Sequence, residues 1–185
     1  VRLNLPQSLV HNLLMHTVFA TSGDETRPIL TGALFEFGPD RLQVVATDTY
    51  RLALANTEVE LDVEEPMSAI VSARALEELL RVLSATSEEP VQIAVSANQV
   101  QFEVGNLKFA SRLIEGQFPN YNKVIPDSHE HTLTVKTGDF QPALRRAIIV
   151  AREDANRVVL TPTENSLTIT AESQDVGSTS EELSA

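Results

Sequence analysis

The chain has 185 residues, with 26 Asp and Glu against 14 Lys and Arg and a formal net charge of -12. A hydrophobic content of 42% with 22% charged residues is that of a folded chain, and the acidity argues against a protein that grips phosphates over its whole surface. The absence of cysteine excludes disulfides, thiolate metal sites and cysteine nucleophiles, and no run reaches the ~18 apolar residues of a membrane helix.

In chain order, Leu9, Val10, Leu13, Leu14 and Val18 recur at helical spacing and predict a helix between Pro6 and Phe19. Strands are expected over Ile29–Phe37, Arg41–Thr47 and Tyr50–Asn56, with turns at Gly38-Pro39-Asp40 and Asp48-Thr49. Ser72 is placed to cap a second helix whose stripe is Leu76, Leu79, Leu80 and Leu83. Its outer face carries Arg74, Glu77, Glu78 and Arg81, and Glu77 and Arg81 are spaced to pair. Val91–Ser96, Gln99–Val104 and Leu107–Leu113 follow as strands, the last two joined by a tight turn at Gly105-Asn106. No strand–helix–strand alternation supports a parallel sheet, so the class is α+β with antiparallel sheets.

Residues 127–131, Asp-Ser-His-Glu-His, read as a linker after Pro126. Beyond it the pattern repeats. Leu133-Thr134-Val135 mirrors Leu3-Asn4-Leu5, and a helix over Asp139–Arg152 carries Phe140, Leu144, Ala147, Ile148 and Ala151 on one face. Asn156-Arg157-Val158-Val159-Leu160 mirrors Thr26-Arg27-Pro28-Ile29-Leu30, and both Leu3/Leu133 and Leu30/Leu160 lie 130 positions apart. A period that long is a repeated domain. The expected organisation is one full domain over 1–126 with two helices, and the first half of a second over 132–185, so the chain reads as a fragment.

Catalytic motifs are few. His129 and His131 stand beside Asp127 and Glu130 in the linker, and His11 and His16 are five apart on a helix, a poor ligand pair. Asp48 is a candidate base with no partner of suitable type near it in sequence. There is no Gly-rich phosphate loop, no G-x-S-x-G and no H-E-x-x-H. Neither a catalytic group nor a metal or cofactor site is assigned. The basic residues are more informative, because the carboxylates, Asp62 and Glu64 among them, gather in loops and outer strands while Arg145, Arg146 and Arg152 share one helix. Such a helix is a candidate phosphate-facing element.

Two segments stand out. Val45-Ala46-Thr47-Asp48-Thr49-Tyr50-Arg51-Leu52-Ala53 resembles the A-T-D-x-x-R-L-A strand turn of the bacterial sliding clamps, the beta subunits of DNA polymerase III. The run from Gly116 to Pro126, Gly-Gln-Phe-Pro-Asn-Tyr-Asn-Lys-Val-Ile-Pro, resembles the same family's G-x-F-P-x-Y-x-x-V-[IL]-P segment. The resemblance implies a DNA-clamp fold, with the chain similar to the family's middle domain and the first half of its third. It implies a cytoplasmic, non-catalytic processivity factor, a homodimeric ring that encircles duplex DNA without reading its sequence and has no membrane role. Helix residues Arg74, Arg81, Arg145 and Arg146, with Arg27 in a loop, would face the DNA. A groove for short peptides, borne by the polymerase III alpha subunit and the clamp loader, would be formed by Leu30, Thr47, Thr49, Tyr50, Arg51, Leu52, Pro119, Lys123 and Val124. The family often has Gly-His where this chain has Thr49-Tyr50, and Arg in place of Lys123. The other reading is a peptide- or ligand-binding module with similar sheets and no role on DNA.

Overall fold

Strand β1 (Arg2–Pro6) alternates, burying Leu3 and Leu5 and exposing Arg2 and Asn4, before Pro6 opens helix α1 (Gln7–Met15). The computed structural model describes residues 2–61, 63, 65–152 and 156–184, so Asp62, Glu64 and the outermost residues of the two expected domains, Val1 and Ala185, lie outside the described residues. The chain divides into two compact units, one ending at Ile125 and the other starting at Pro126.

In the first unit, β2 (Gly32–Phe37), β3 (Arg41–Thr47), β4 (Leu52–Glu58) and β5 (Met67–Ser72) form an antiparallel sheet in the order β4-β3-β2-β5. Helix α2 (Ala73–Val82) and strands β6 (Pro90–Val95), β7 (Gln99–Val104) and β8 (Leu107–Arg112) follow, the second sheet running β1-β6-β7-β8. One core joins both sheets to both helices through Leu5, Val10, Leu14, Phe35, Val44, Leu76, Leu79, Ile93 and Phe102. Full burial of each such aliphatic side chain is worth roughly 1.5–3 kcal/mol, enough to fix which face of each helix points inward. Ser72 caps α2, its Oγ accepting from the Ala75 amide at 3.4 Å. Gly105 supplies the positive φ, +56°, of the β7–β8 turn.

Strands β2 and β3 are buried on both faces. Phe35, Phe37 and Val44 enter the core, whereas Leu34 and Val45 point the other way, into a second cluster with Ile70 and Tyr121. That outer cluster is closed by Ile29, Leu52, Leu54, Ile114 and Phe118, so the chain beyond β8 crosses back over the sheet.

The second unit packs α3 (Thr137–Ala151) on a sheet of β9 (Val159–Pro162), β10 (Ser166–Ser173) and β11 (Gly177–Ser184), ordered β11-β10-β9. Ala143, Ala147 and Ala151 meet Leu167, Ile169 and Ala171 in a core of small residues.

Several expectations change. Helix α1 stops at Met15, because the Thr17 hydroxyl turns back to the Leu13 carbonyl at 2.7 Å and Val18–Ala20 continues as a 3-10 turn. The strand expected from Ile29 starts at Gly32, preceded by a 3-10 turn over Pro28–Leu30. The strand expected from Tyr50 starts at Leu52, and β5 was not anticipated. Arg81 pairs with Glu78 at 2.7 Å rather than with Glu77. In α3, Ile148 is exposed and the buried stripe is alanine. Leu133-Thr134-Val135 is not a strand: β1 pairs with β6, and the described residues of the second unit include no counterpart of β6. Nor is the 130-residue offset constant. The β9–β10 turn follows the β2–β3 turn by 125 positions, so Leu160, opposite Ile169, answers to Phe35, opposite Val44. The cause is local, since α3 has 15 residues where α1 has 9 and the connection after it is shorter.

Candidate functional site

Strand β3 runs into the turn Asp48–Arg51, which its own side chains tie together. Asp48 Oδ1 accepts from the amides of Tyr50 (2.9 Å) and Arg51 (3.0 Å), and Oδ2 accepts from Arg51 Nε at 3.2 Å. Partial burial works against the Asp48 charge, but the Arg51 and Tyr50 amides and the Arg51 guanidinium outweigh it and hold the carboxyl below its usual range. Thr47 Oγ1 donates to the Arg51 carbonyl at 2.7 Å and accepts from the Thr49 amide at 3.1 Å. With every one of these acceptors occupied, Asp48 organises a turn and is not placed as a free base.

This turn presents Thr49, Tyr50 and Arg51 to solvent, Tyr50 at 94% exposure, while Thr47 and Leu30 are buried and Leu52 is half-buried in the outer cluster. Thr49 adopts φ +81°, a left-handed conformation that is costly for a β-branched residue. Arg51 Nη2 donates to the Phe19 carbonyl at 2.8 Å, and its guanidinium carbon lies 5.6 Å from the Phe19 ring centroid. Arg27, assigned from the sequence to a DNA-facing loop, stands at this same turn: it donates to Asp24 at 3.2 Å and to Thr49 Oγ1 at 3.4 Å.

The segment after β8 brings up the other candidates. Gly116, at φ +135°, passes so close to Ile29 that a Cβ there would lie 2.7 Å from its Cγ2. Phe118 and Tyr121 then pack into the outer cluster beside Leu52, leaving Pro119, Lys123 and Val124 exposed. The Tyr121 hydroxyl meets Glu36 and Gln43, and burial first, then the Glu36 hydrogen bond, pushes the phenol up to about 12.

The remaining arginines divide into two kinds. Arg81 is paired with Glu78, and Arg146 is held by Glu181 through two contacts of 2.5 and 2.6 Å. Among the described residues, exposed Arg74 and Arg145 have no ion-pair partner. His129 and His131 are exposed, and no group of three or more His, Cys, Asp or Glu could hold a metal among the described residues. No described helix is long and apolar enough to cross a membrane.

Phe19, Glu36 and Gln43 were missed from the sequence. Glu36 and Gln43 left half a signal: Glu36 is the one polar side chain in Gly32–Phe37 and Gln43 interrupts the apolar run Leu42–Ala46, but that they stand opposite each other is seen only in the pairing of β2 with β3. Phe19 left none, because its role comes from a contact 32 positions away.

The family model for the DNA polymerase III beta subunit, central domain, matches residues 4–120, and that for its C-terminal domain matches residues 122–185. The chain belongs to the DNA polymerase III beta subunit family. It is 37% identical over 184 residues to the beta sliding clamp of Staphylococcus epidermidis, covering 99% of this chain and 48% of that protein. Among solved structures, it resembles the DNA polymerase sliding clamp of Bacillus subtilis with a TM-score of 0.89 at 32% identity, covering 99% of this chain and 48% of that one. It also resembles a DnaN sliding clamp of Bartonella birtlesii bound to griselimycin, with a TM-score of 0.91 at 33% identity over 99% and 50% of the two chains. The α+β class read from the pattern of strands and helices and the sliding-clamp fold implied by the two motifs are therefore those of the molecule. The chain spans about half the length of the curated relatives it matches.

Proposed function

We propose that this chain is part of a sliding clamp, a non-catalytic processivity subunit that encircles duplex DNA as a homodimeric ring in the cytoplasm. It would hold the polymerase III alpha subunit and the clamp loader by short peptides docked on the outer face of the first unit. Residues 1–126 and 132–185 would be successive clamp domains joined by a linker over 127–131. The observation that carries the reading is the stiffened Thr47–Leu52 turn beside an apolar cluster, with Pro119, Lys123 and Val124 exposed next in chain to its buried members. A half-apolar surface edged by one or two cations, here Arg51 and Lys123, suits a peptide with an apolar end and a polar end. Phosphate would be met by Arg74, Arg81, Arg145 and Arg146, and by Arg27 from its loop, through contacts that read no base.

Griselimycin is the available probe, since a relative is described bound to it. Titrated into the protein with amide chemical shifts recorded, it should perturb Thr47–Leu52 and 119–124, and Leu52→Asp should abolish those shifts. Perturbation confined to other surfaces would remove the reading.

A module with no role on DNA has one observation in its favour. Three of the five arginines assigned to DNA, Arg27, Arg81 and Arg146, already have carboxylate partners.

A further inference from the structure

The segment from Gly116 to Val124 carries Pro119, Lys123 and Val124, yet its backbone is scarcely held. Before it, the Ile114 amide donates to the Ile70 carbonyl at 2.9 Å; at its end, the Val124 amide donates only to Tyr121, at 3.1 Å. Between those points, among the described residues, the main chain makes no hydrogen bond to the sheet beneath. A cavity of about 470 Å³, lined by Leu34, Glu36, Ile70 and residues 116–122, flanks it.

Side chains hold it instead. Phe118 and Tyr121 supply apolar contact, which is non-directional. Directional contact comes from one place. Glu36 and Gln43 oppose each other across β2 and β3, and Gln43 Nε2 donates to Glu36 Oε2 at 2.8 Å and to the Tyr121 oxygen at 2.5 Å. The phenol donates in turn to Glu36 Oε2, closing a three-membered polar ring beside the apolar cluster of Leu34, Val45 and Ile70. Gln43 and Tyr121 are both buried, so the hydrogen bonds of the ring are made out of water and favour the docked segment.

We propose that the Tyr121–Glu36–Gln43 ring is a latch that fixes the 116–124 segment to the sheet, so that Glu36 and Gln43 are positioning residues for the peptide surface. The positional part rests on the surface assignment above; the latch does not.

The chain has no cysteine, so one can be placed under the latch. Leu34→Cys, buried beside Tyr121, reports lifting of the segment by its rate of thiol labelling, and Val44→Cys in the main core reports global opening. Adding Tyr121→Phe, or Gln43→Leu as a second route, should speed labelling at position 34 about tenfold or more and leave position 44 unchanged. Glu36→Gln, which keeps an acceptor for the phenol, should stay near the parent rate. Griselimycin affinity should fall with Tyr121→Phe by a similar factor and stay near the parent value with Glu36→Gln. Unchanged labelling at position 34, or equal acceleration at both positions, overturns the latch. Faster labelling at 34 with unaltered griselimycin affinity overturns the positioning role. Failure of the unsubstituted protein to bind griselimycin overturns the surface assignment, and the labelling rates still decide the latch.

Discussion

Arg51 reaches out of the β3–β4 turn to donate to the Phe19 carbonyl at 2.8 Å while its guanidinium lies 5.6 Å from the Phe19 ring. One side chain thereby joins a turn of the sheet to the 3-10 turn after α1, and the Asp48 contact at 3.2 Å fixes its stem. Arg51 is thus committed to holding the turn, and what it offers a ligand is the remaining exposed edge of its guanidinium. A double-mutant cycle with Phe19→Leu and Arg51→Ala should return a coupling of about 0.5–1 kcal/mol, the range for an exposed cation–π pair. Urea unfolding measures it. A coupling near zero would show that the ring adds nothing and that Asp48 and the Phe19 carbonyl set the Arg51 position. Arg51→Lys should not rescue, because an ammonium cannot serve Asp48 and the Phe19 carbonyl with a planar fork.

Thr49 stands at φ +81° where the family motif often has glycine. Holding a β-branched residue there costs on the order of 1–3 kcal/mol, and glycine returns part of that gain through its freer unfolded chain. Thr49→Gly should therefore stabilise the first unit by about 1 kcal/mol, and Thr49→Ala should recover less because it keeps a Cβ in the left-handed region. Thermal or urea melts decide between them. Loss of stability with glycine would mean that the Arg27–Thr49 contact at 3.4 Å outweighs the strain.

The same turn shows how far a sequence can be read. The A-T-D-x-x-R-L-A pattern located it, and β3 and β7 have the ends expected of them, because alternation and turn residues are local. What failed was context. Tyr50 has a strand-forming side chain, yet Asp48, whose Oδ1 accepts from the Tyr50 amide, keeps it in the turn and out of β4. β5 was overlooked because it is short and follows the Glu64-Glu65-Pro66 run, while its strand character depends on pairing with β2 from Gly32–Ser72 to Phe37–Met67. Ile29 and Leu30 looked like the head of a strand but lie in a 3-10 turn set by Pro28. Among the candidate residues, those on the turn could be located from the motif. The Glu36–Gln43 anchor required the register of β2 against β3 and a tyrosine about eighty positions away.

Asp48 gives the turn a pH signature. Its carboxyl lies below the reference value of 3.8 in the folded chain, so the unfolded chain takes up the proton first as the solution is acidified. The stabilisation is full above that reference and disappears as pH falls through the lower folded value. Asp48→Asn removes this term, so the stability difference between parent and variant should be largest near neutrality and shrink below about pH 4. Urea unfolding at a series of pH values tests the sign. A difference that does not change with pH would mean that the folded chain does not hold the Asp48 carboxyl below its reference value.

Arg146 tests the DNA assignment most directly, because Glu181 already holds it at two points. The hydrogen bond from Arg146 keeps the Glu181 carboxyl below its usual range, so the acid stays charged at neutral pH and competes with any phosphate for the guanidinium. The pair is on the surface, where such bridges contribute little to stability, and Glu181→Gln should leave the melting temperature nearly unchanged. If α3 faces DNA, releasing Arg146 should raise affinity for a labelled duplex and steepen the salt dependence by roughly 0.9 in log–log slope, the value for one more phosphate contact. Arg145→Ala removes an arginine that has no ion-pair partner among the described residues, and should lower affinity and flatten the slope by a similar amount. Anisotropy titrations over a range of potassium chloride concentrations give both slopes. If neither variant moves its slope, α3 does not meet phosphate, and the DNA-independent module becomes the better description of this chain.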